Sequence, residues 1–136
     1  MNAYQMYRQT QAQTANPGEL VVMLYRGAVR FVSNGIEGIE ARDVAAAHTN
    51  LVKAQAIISE LLQTLDVERG GDWARRLSSI YRYLLQRLLD ANIRKDAAPA
   101  REVLGHLREL LAAWEQAVRM QTGAAGGARQ LVAAGA

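Results

Sequence analysis

Apolar residues return at alternating steps of three and four positions in four separate segments of this 136-residue chain. The steps are most regular in the second segment, which carries Ala47, Leu51, Ala54, Ile58, Leu61 and Leu65. Such spacing places the apolar side chains on one face of a helix, where they can pack against other helices. The two-residue alternation that marks strands is nearly absent. The pattern therefore predicts an all-α fold of four helices.

A well-marked helix start precedes the first segment. Asn16 is placed to cap the free backbone amides, Pro17 suits the first helical position, and Glu19 completes a capping box with Asn16. Asp43 is placed to cap the second helix and Asp96 the fourth.

The third helix is expected to begin at Asp72, after a turn at Gly70 and Gly71. Its predicted core face consists of Trp73, Leu77, Ile80, Leu84, Leu88 and Ala91. The predicted core face of the fourth helix consists of Val103, Leu107, Leu110, Trp114 and Val118. Because short connections join the helices, neighbours should run antiparallel in an up-down four-helix bundle.

Residues 16–122 are expected to form this bundle as a single domain. Residues 1–15 carry Tyr4, Met6 and Tyr7 among polar residues, and these side chains favour a short segment packed on the bundle. Residues 123–136 consist mainly of Gly and Ala, which are too weakly apolar to dock, and a disordered tail is predicted there.

The first helix is apolar over a wider arc than a bundle helix needs. One stripe on it carries Leu20, Leu24, Gly27 and Phe31, and a second carries Val21, Ala28, Val32 and Ile39. One interpretation is that part of this arc is a surface for a partner, and plain core packing is the alternative. Gly35 and Gly38 each cost a helix about 1 kcal/mol relative to alanine, and the sequence alone gives no reason for them.

Composition argues against several function classes. Cysteine is absent, which removes disulfides, thiolate metal sites and cysteine nucleophiles. No apolar run approaches the ~20 residues that span a bilayer, and the first residues lack the pattern of a secretory signal. We expect a cytoplasmic protein without metal or cofactor. No set of acid, base and nucleophile indicates an enzyme.

Only two histidines occur in the sequence. His48 lies one position beyond the apolar stripe of the second helix, where a partly exposed residue is expected. A helical histidine also occurs in phosphotransfer bundles, although here Thr49 and Asn50 follow it in place of Lys-Gly; that class stays open as an alternative. His106 follows Glu102 by four residues, which predicts a surface ion pair and does not match a di-iron site.

The net charge of +3 is modest for a nucleic-acid binder. The clearest basic excess lies between Arg75 and Lys95, where six basic residues are opposed only by Asp90. On a helix these residues spread around the cylinder, so a solvated face is expected. A basic helical nucleic-acid-binding module remains the alternative.

Three blocks of residues carry a family pattern with matched spacing over residues 4–120. The first reads Thr14-Ala15-Asn16-Pro17-Gly18-Glu19-Leu20 and then Met23-Leu24-Tyr25-Arg26-Gly27-Ala28. The second holds Lys53-Ala54-Gln55, Ile58, Glu60-Leu61, Leu65-Asp66 and Gly70-Gly71. The third holds Leu77, Tyr81, Tyr83, Arg87-Leu88, Ala91-Asn92, Leu110 and Trp114. Together these blocks resemble the flagellin export chaperone family, FliS.

Two positions depart from the family pattern. Asn16 stands where the family usually has serine, and both residues cap helices well. Arg26 stands where the family commonly has an acidic residue, so a charged contact of the family at this position does not carry over.

The resemblance implies a helical chaperone that binds the disordered C-terminal region of flagellin in the cytoplasm. It implies that the chaperone prevents premature polymerisation and aids delivery to the flagellar type III export apparatus. The implied partners are flagellin and the cytoplasmic domain of the export gate, with no nucleic acid and no membrane insertion. A monomer or weak homodimer is expected.

The resemblance also suggests where a client would bind. The family's N-terminal segment covers part of an apolar client groove, so Tyr4, Met6 and Tyr7 are candidates for a lid. The wide arc of the first helix supplies the candidate groove residues, which are Val21, Leu24, Tyr25, Ala28, Phe31 and Val32. Core packing remains the alternative for these residues.

Overall fold

A computed structural model describes residues 17–123, with side chains through Gln121. This part of the chain forms four helices: α1 (Pro17–Glu40), α2 (Val44–Gln63), α3 (Val67–Arg94) and α4 (Ala97–Gly123). α1 is helical from Pro17, the first described residue, and Glu19 lies in its first turn. The other predicted features near the ends, namely the cap Asn16, the lid residues Tyr4, Met6 and Tyr7, and the tail from residue 124, lie outside the described residues.

The helices form an antiparallel bundle, as predicted. Connections of two or three residues join them, and α1 and α3 each pack against both α2 and α4. Two ion pairs show the opposite directions of α1 and α4: Arg26 lies 2.7 Å from Glu115, and Glu40 lies 2.5 Å from Arg101. We call the end where α1 and α3 begin the open end, and the end where they finish the closed end.

Aspartates cap three of the helices. Asp43 accepts a hydrogen bond from the amide of Ala46 at 3.0 Å, and Asp96 accepts one from the amide of Ala98 at 3.0 Å, as expected for N-caps. Asp66 caps the first stretch of α3 by accepting a hydrogen bond from the amide of Arg69 at 3.2 Å, and the predicted turn is present as a kink, after which the longer stretch of the helix begins at the predicted Asp72. Gly71 then interrupts α3 with a left-handed φ of 58°, a backbone angle that favours glycine.

The hydrophobic core follows the predicted stripe on α2, because all its members from Ala47 to Leu61 are buried. On α3 the prediction is partly wrong, since Trp73 is 46% and Ile80 39% exposed. The buried face of α3 carries Ala74 and Tyr81 in place of Trp73 and Ile80, together with the predicted Leu77, Leu84, Leu88 and Ala91.

Burial along α4 changes from one half to the other. Near the closed end its inward-facing residues Ala97, Ala100, Val103 and Leu107 are buried. Near the open end the residues that continue the stripe, including Leu110, Trp114 and Val118, are only partly buried. The bundle is therefore tightly closed at one end and looser at the other.

The glycines of α1 allow a close approach of α2. A Cβ atom at Gly38 would lie 2.7 Å from the backbone nitrogen of Ala47, and one at Gly35 would lie 2.7 Å from a side-chain carbon of Leu51. At Gly27 the nearest atom, in the Ile57 side chain, would be 3.1 Å away. Close packing is thus the physical reason for glycines that the sequence left unexplained.

Within residues 17–123, no helix is both long enough and apolar enough to cross a membrane.

Candidate binding cleft

An apolar cleft of about 170 Å³ opens at the open end of the bundle, where all four helices contribute to it. Its walls include the beginning of α1 and the last turns of α4, so the less buried half of α4 forms one side. The lining residues are Pro17, Gly18, Leu20, Val21, Leu61, Thr64, Leu65, Leu77, Tyr81, Trp114, Ala117, Val118 and Gln121. None of these residues carries a charge, so the cleft fits an apolar, uncharged occupant.

Two tryptophans lie at the edge of the cleft. The rings of Trp73 and Trp114 meet edge to face with their centroids 6.3 Å apart. Trp114 lines the cleft, whereas Trp73 follows the kink at Gly71 and is half exposed. Paired aromatic rings of this kind provide a large, rigid contact surface, which is a common feature of protein-binding sites.

A buried tyrosine pair lies beside the cleft. The hydroxyl oxygens of Tyr25 on α1 and Tyr81 on α3 are 2.5 Å apart, and both residues are almost fully buried. Burial raises the pKa of Tyr25 to about 12, although hydrogen bonds with Tyr81 and Trp114 oppose this rise. Burial also raises the pKa of Tyr81, and the neighbouring Tyr25 adds to the effect. Both phenols are therefore neutral, and they link α1 to α3 across the bundle.

The predicted groove residues on α1 fall into two groups. Leu24, Tyr25, Ala28 and Val32 are buried in the core, where they pack inside the bundle. Their burial favours the core-packing alternative and accounts for much of the wide apolar arc, because α1 packs against both α2 and α4.

The remaining two residues, Val21 and Phe31, are partly buried. Val21 lines the cleft. Phe31 lies elsewhere on α1, with the Arg30 guanidinium 5.1 Å and the Lys53 ammonium 5.4 Å from its ring centroid. The two side chains therefore belong to different surfaces, and the sequence-based groove does not form one continuous site.

The cleft residues outside α1 were not predicted as site residues. Leu61, Leu77 and Trp114 belong to apolar stripes, and a stripe does not show which of its members border a cleft. A weak signal was the apolar stripe of α4, which continues for about three turns beyond Leu107, its last fully buried member.

A polar network occupies the α3–α4 face. Glu102 accepts hydrogen bonds from the Tyr83 hydroxyl at 2.5 Å and from Arg87 Nε at 2.9 Å. These two bonds, the one from Tyr83 above all, lower the pKa of the Glu102 carboxyl. His106 Nε2 lies 3.4 Å from the same carboxylate, which confirms the predicted surface pair. Glu102 is thus held as an anion between two donors.

His48 is part of a second polar cluster, near the closed end. The Lys95 ammonium donates to the Asn92 side-chain oxygen at 2.7 Å, so the amide nitrogen of Asn92 faces His48 Nδ1 at 3.1 Å. An amide nitrogen only donates hydrogen bonds, hence Nδ1 is the acceptor.

The basic residues of α3 are also partly paired: Arg75 with Asp72, and Arg87 with Glu102 and Asp90. Among the described side chains, no group of three or more acidic or histidine residues is arranged to hold a metal ion.

Comparison with known proteins agrees with the resemblance in the sequence. The model of the family "Flagellar protein FliS" matches residues 1–121. The chain is 38% identical over 120 residues to the flagellar secretion chaperone FliS of Bacillus subtilis, covering 88% of this chain and 89% of that protein. It is 40% identical over 104 residues to the Salmonella typhimurium protein of the same name, covering 76% and 77% of the two chains. For the Campylobacter jejuni protein of that name, the identity is 34% over 120 residues, with 88% and 94% covered. The chain therefore belongs to the FliS family of flagellar proteins.

Proposed function

We propose that this protein is a cytoplasmic export chaperone that holds the disordered C-terminal region of flagellin. Holding this region prevents flagellin from polymerising before export, and the complex is then delivered to the flagellar type III export apparatus. The observation that carries the proposal is the family match over residues 1–121. The proposed role is binding without catalysis, and it uses no cofactor.

The size and lining of the cleft support a polypeptide as the bound partner. At about 170 Å³ the cleft is smaller than the ~300–1,000 Å³ of pockets that bury a drug-sized ligand. It suits one or two apolar side chains of a longer segment that continues over the bundle surface. Val21, Leu77 and Trp114 offer apolar contacts from three different helices, which is how a groove receives an amphipathic segment.

Titration of the isolated C-terminal segment of flagellin into the full chain tests the proposal by calorimetry. We expect saturable binding with one segment per chaperone, and a complex that stays together in size-exclusion chromatography. Absence of both heat and a retained complex would refute the proposed function.

A matched pair of substitutions on α4 tests the place of binding. Ala117 lines the cleft, whereas Ala112 is exposed on another side of the same helix. Ala117→Arg puts a charge into an uncharged cleft and should weaken binding at least about tenfold, equivalent to ~1.4 kcal/mol. Ala112→Arg should leave the affinity unchanged. Equal affinities of the two variants would show that the segment binds elsewhere.

The lid role of Tyr4, Met6 and Tyr7 is part of the same proposal. Pro17 lines the cleft, so the segment that precedes it is attached at the edge of the cleft. Deletion of residues 2–12 should increase the association rate of the flagellin segment in stopped-flow measurements and leave the helical circular dichroism unchanged. An unchanged association rate would argue against a lid.

Delivery to the export gate requires a further contact. We expect the chaperone–flagellin complex to bind the cytoplasmic domain of the export gate in a pull-down experiment. Failure of the complex to bind this domain would restrict the proposed function to holding the client.

A further inference from the structure

Large apolar side chains lie exposed along the side of α3 that borders α4. Trp73, Ile80 and Tyr83 follow each other at helical spacing, and each is between 39% and 48% exposed. Ring contacts of Trp73 with Trp114 and of Tyr83 with His106 show that this side faces α4. α3 and α4 are also the most loosely packed pair of neighbouring helices in the bundle. Exposed apolar surface of this kind is typical of a protein-binding site.

A cavity of about 570 Å³ lies in the middle of this side, and we call it the α3–α4 groove. Its lining residues are Ser79, Ile80, Tyr83, Leu84, Glu102, His106, Glu109 and Leu110. The groove shares no lining residue with the cleft at the open end. The cleft lining is uncharged, whereas the groove is lined by two carboxylates and by no lysine or arginine. The two sites therefore suit different occupants.

The charge of the groove is negative. Glu102 accepts hydrogen bonds from Tyr83 and Arg87, and these bonds lower the pKa of its carboxyl. Arg87 is shared between Glu102 and Asp90, so its single charge does not balance the further carboxylate of Glu109. Glu109 follows Glu102 by two helical turns, which places both on one face of α4 about 10 Å apart along the helix. The groove thus favours a cation.

The ring of Tyr83 favours a cation for a second reason. Its hydroxyl donates to Glu102, and this hydrogen bond raises the pKa of Tyr83, so the phenol stays neutral. Donation to an anion adds electron density to the ring, and cations are attracted to the faces of aromatic rings. Ile80, Leu84 and Leu110 provide apolar surface beside it. An arginine or lysine packs its aliphatic stem on such surface and keeps its charged head at the rim.

We propose that the α3–α4 groove docks an amphipathic helical segment of a partner protein that carries an arginine among apolar residues. The apolar side chains pack on Ile80 and Leu110, and the guanidinium lies among Glu102, Glu109 and the Tyr83 ring. Arginine fits better than lysine because its planar head stacks on aromatic rings and pairs with carboxylates. An acidic segment would bring its carboxylates against Glu102 and Glu109.

The length of the exposed surface limits the docked segment. Trp73 and Tyr83 are ten residues apart, which corresponds to about 15 Å along α3 and to about three turns of a partner helix. Amphipathic helices commonly bind in apolar grooves of this kind. The groove is separate from the cleft, so this second contact does not depend on flagellin as the occupant of the cleft.

A matched pair of peptides tests the required charge. Both are amphipathic helices of about twelve residues built from leucine, alanine and glutamine. One has a central arginine, and the other has citrulline, which keeps the shape of arginine without its charge. In NMR titrations of the full chain that follow the methyl groups of Ile80 and Leu110, the arginine peptide should bind at least about fivefold more tightly. Salt at 0.5 M should reduce this difference. Equal affinities of the two peptides would overturn the proposal.

Substitutions test the residues that select the arginine. Glu109→Gln and Tyr83→Leu should each reduce the preference for the arginine peptide to less than about twofold. Glu37→Gln removes an exposed carboxylate from α1 and should leave the preference unchanged. Helical circular dichroism checks that the variants fold. A full preference in Glu109→Gln would contradict the proposal even if Tyr83→Leu fails to fold.

The same titration shows where the peptide binds. The methyl groups of Leu61 report on the cleft at the open end. If the arginine peptide shifts these signals and leaves those of Ile80 and Leu110 in place, the peptide binds in the cleft and the proposal is wrong. Neither peptide contains a flagellin sequence, so this experiment and the flagellin titration succeed or fail separately.

Discussion

The two ends of the bundle use the same four helices for different purposes. At the closed end, α1 and α2 approach closely at Gly38 and Ala47, and small residues of α4 such as Ala97 and Ala100 are buried against the core. At the open end, larger residues of α4 such as Trp114 are only partly covered and line an uncharged cleft. Small residues permit tight packing at one end, and larger residues of α4 are left partly uncovered at the other.

Under the proposed function, this difference separates stability from binding along the length of the molecule. Substitutions at the closed end should act on the free energy of unfolding, and those at the open end should act on affinity. The tyrosine pair lies between the two, because it is buried like the core and borders the cleft.

The largest effect is expected from an added methyl group at the closed end. In Gly38→Ala, the new Cβ would meet backbone atoms of Ala47 that cannot turn aside, so we expect a loss of about 3 kcal/mol. Gly105→Ala is the control, since a Cβ at this exposed helical position meets nothing within 4 Å. It should stabilise the protein by about 0.5–1 kcal/mol. Urea unfolding followed by circular dichroism measures both, and a neutral Gly38→Ala would show that the helices separate easily.

Substitutions of two valines on α4 compare the closed and open ends of the bundle directly. Val103 is fully buried near the closed end, and Val118 is half-buried in the cleft. Val103→Ala should cost about 2 kcal/mol of unfolding free energy, through lost burial and the cavity left behind, without changing affinity for the flagellin segment. Val118→Ala should cost less than about 1 kcal/mol but weaken that affinity. The same result for both variants in urea unfolding and calorimetry would remove the distinction between the ends.

Alkaline pH should act on the tyrosine pair at the boundary. The pKa of Tyr25 is raised to about 12 and that of Tyr81 is raised as well, whereas an unfolded tyrosine titrates near pH ~10. Above about pH 10 the unfolded chain loses these protons while the folded chain keeps them. The free energy of unfolding should therefore fall between about pH 10 and 12, by up to ~1.4 kcal/mol per pH unit for each phenol.

Urea unfolding at about pH 9, 10.5 and 11.5 measures this dependence. The double variant Tyr25→Phe/Tyr81→Phe is the control and should show a shallower fall over the same range. Parallel pH profiles of the wild type and the double variant would contradict a role for the pair.

The smallest effects are expected from two ion pairs that join α1 and α4. Arg26 pairs with Glu115 near the open end and Arg101 with Glu40 near the closed end, and all four side chains are partly exposed. Solvent and salt screen such pairs. Arg26→Gln and Arg101→Gln should each change the free energy of unfolding by less than about 0.5 kcal/mol, and less still in 0.5 M salt. A larger loss of unfolding free energy in either variant would show that the ion pair contributes to stability.

Sequence periodicity predicted much of the fold but could not resolve adjacent stripes. On α3, stripes that begin at Trp73 or at Ala74 share Leu77, Leu84 and Leu88, so periodicity fits both. Tertiary contacts decide between them, because Tyr81 meets Tyr25 across the bundle. The roles of Gly35 and Gly38 were equally hidden, since a sequence contains no distances between helices.

The candidate site was harder to predict than the fold. An apolar stripe identifies the face of a helix but not the point at which neighbouring helices stop covering it. On α1 this led to a groove that included Leu24, Tyr25, Ala28 and Val32, all buried in the structure. The family resemblance indicated an apolar client groove, the wide apolar arc placed it on the first helix, and the geometry adds a cleft at one end of the bundle.

The attachment points of the two chain ends have a practical consequence for engineering this protein. Pro17 and Gln121 both line the cleft, so a dye attached at either residue would lie at the candidate site. The connection at residues 41–43 lies at the opposite end and offers a place for a dye or an immobilisation handle.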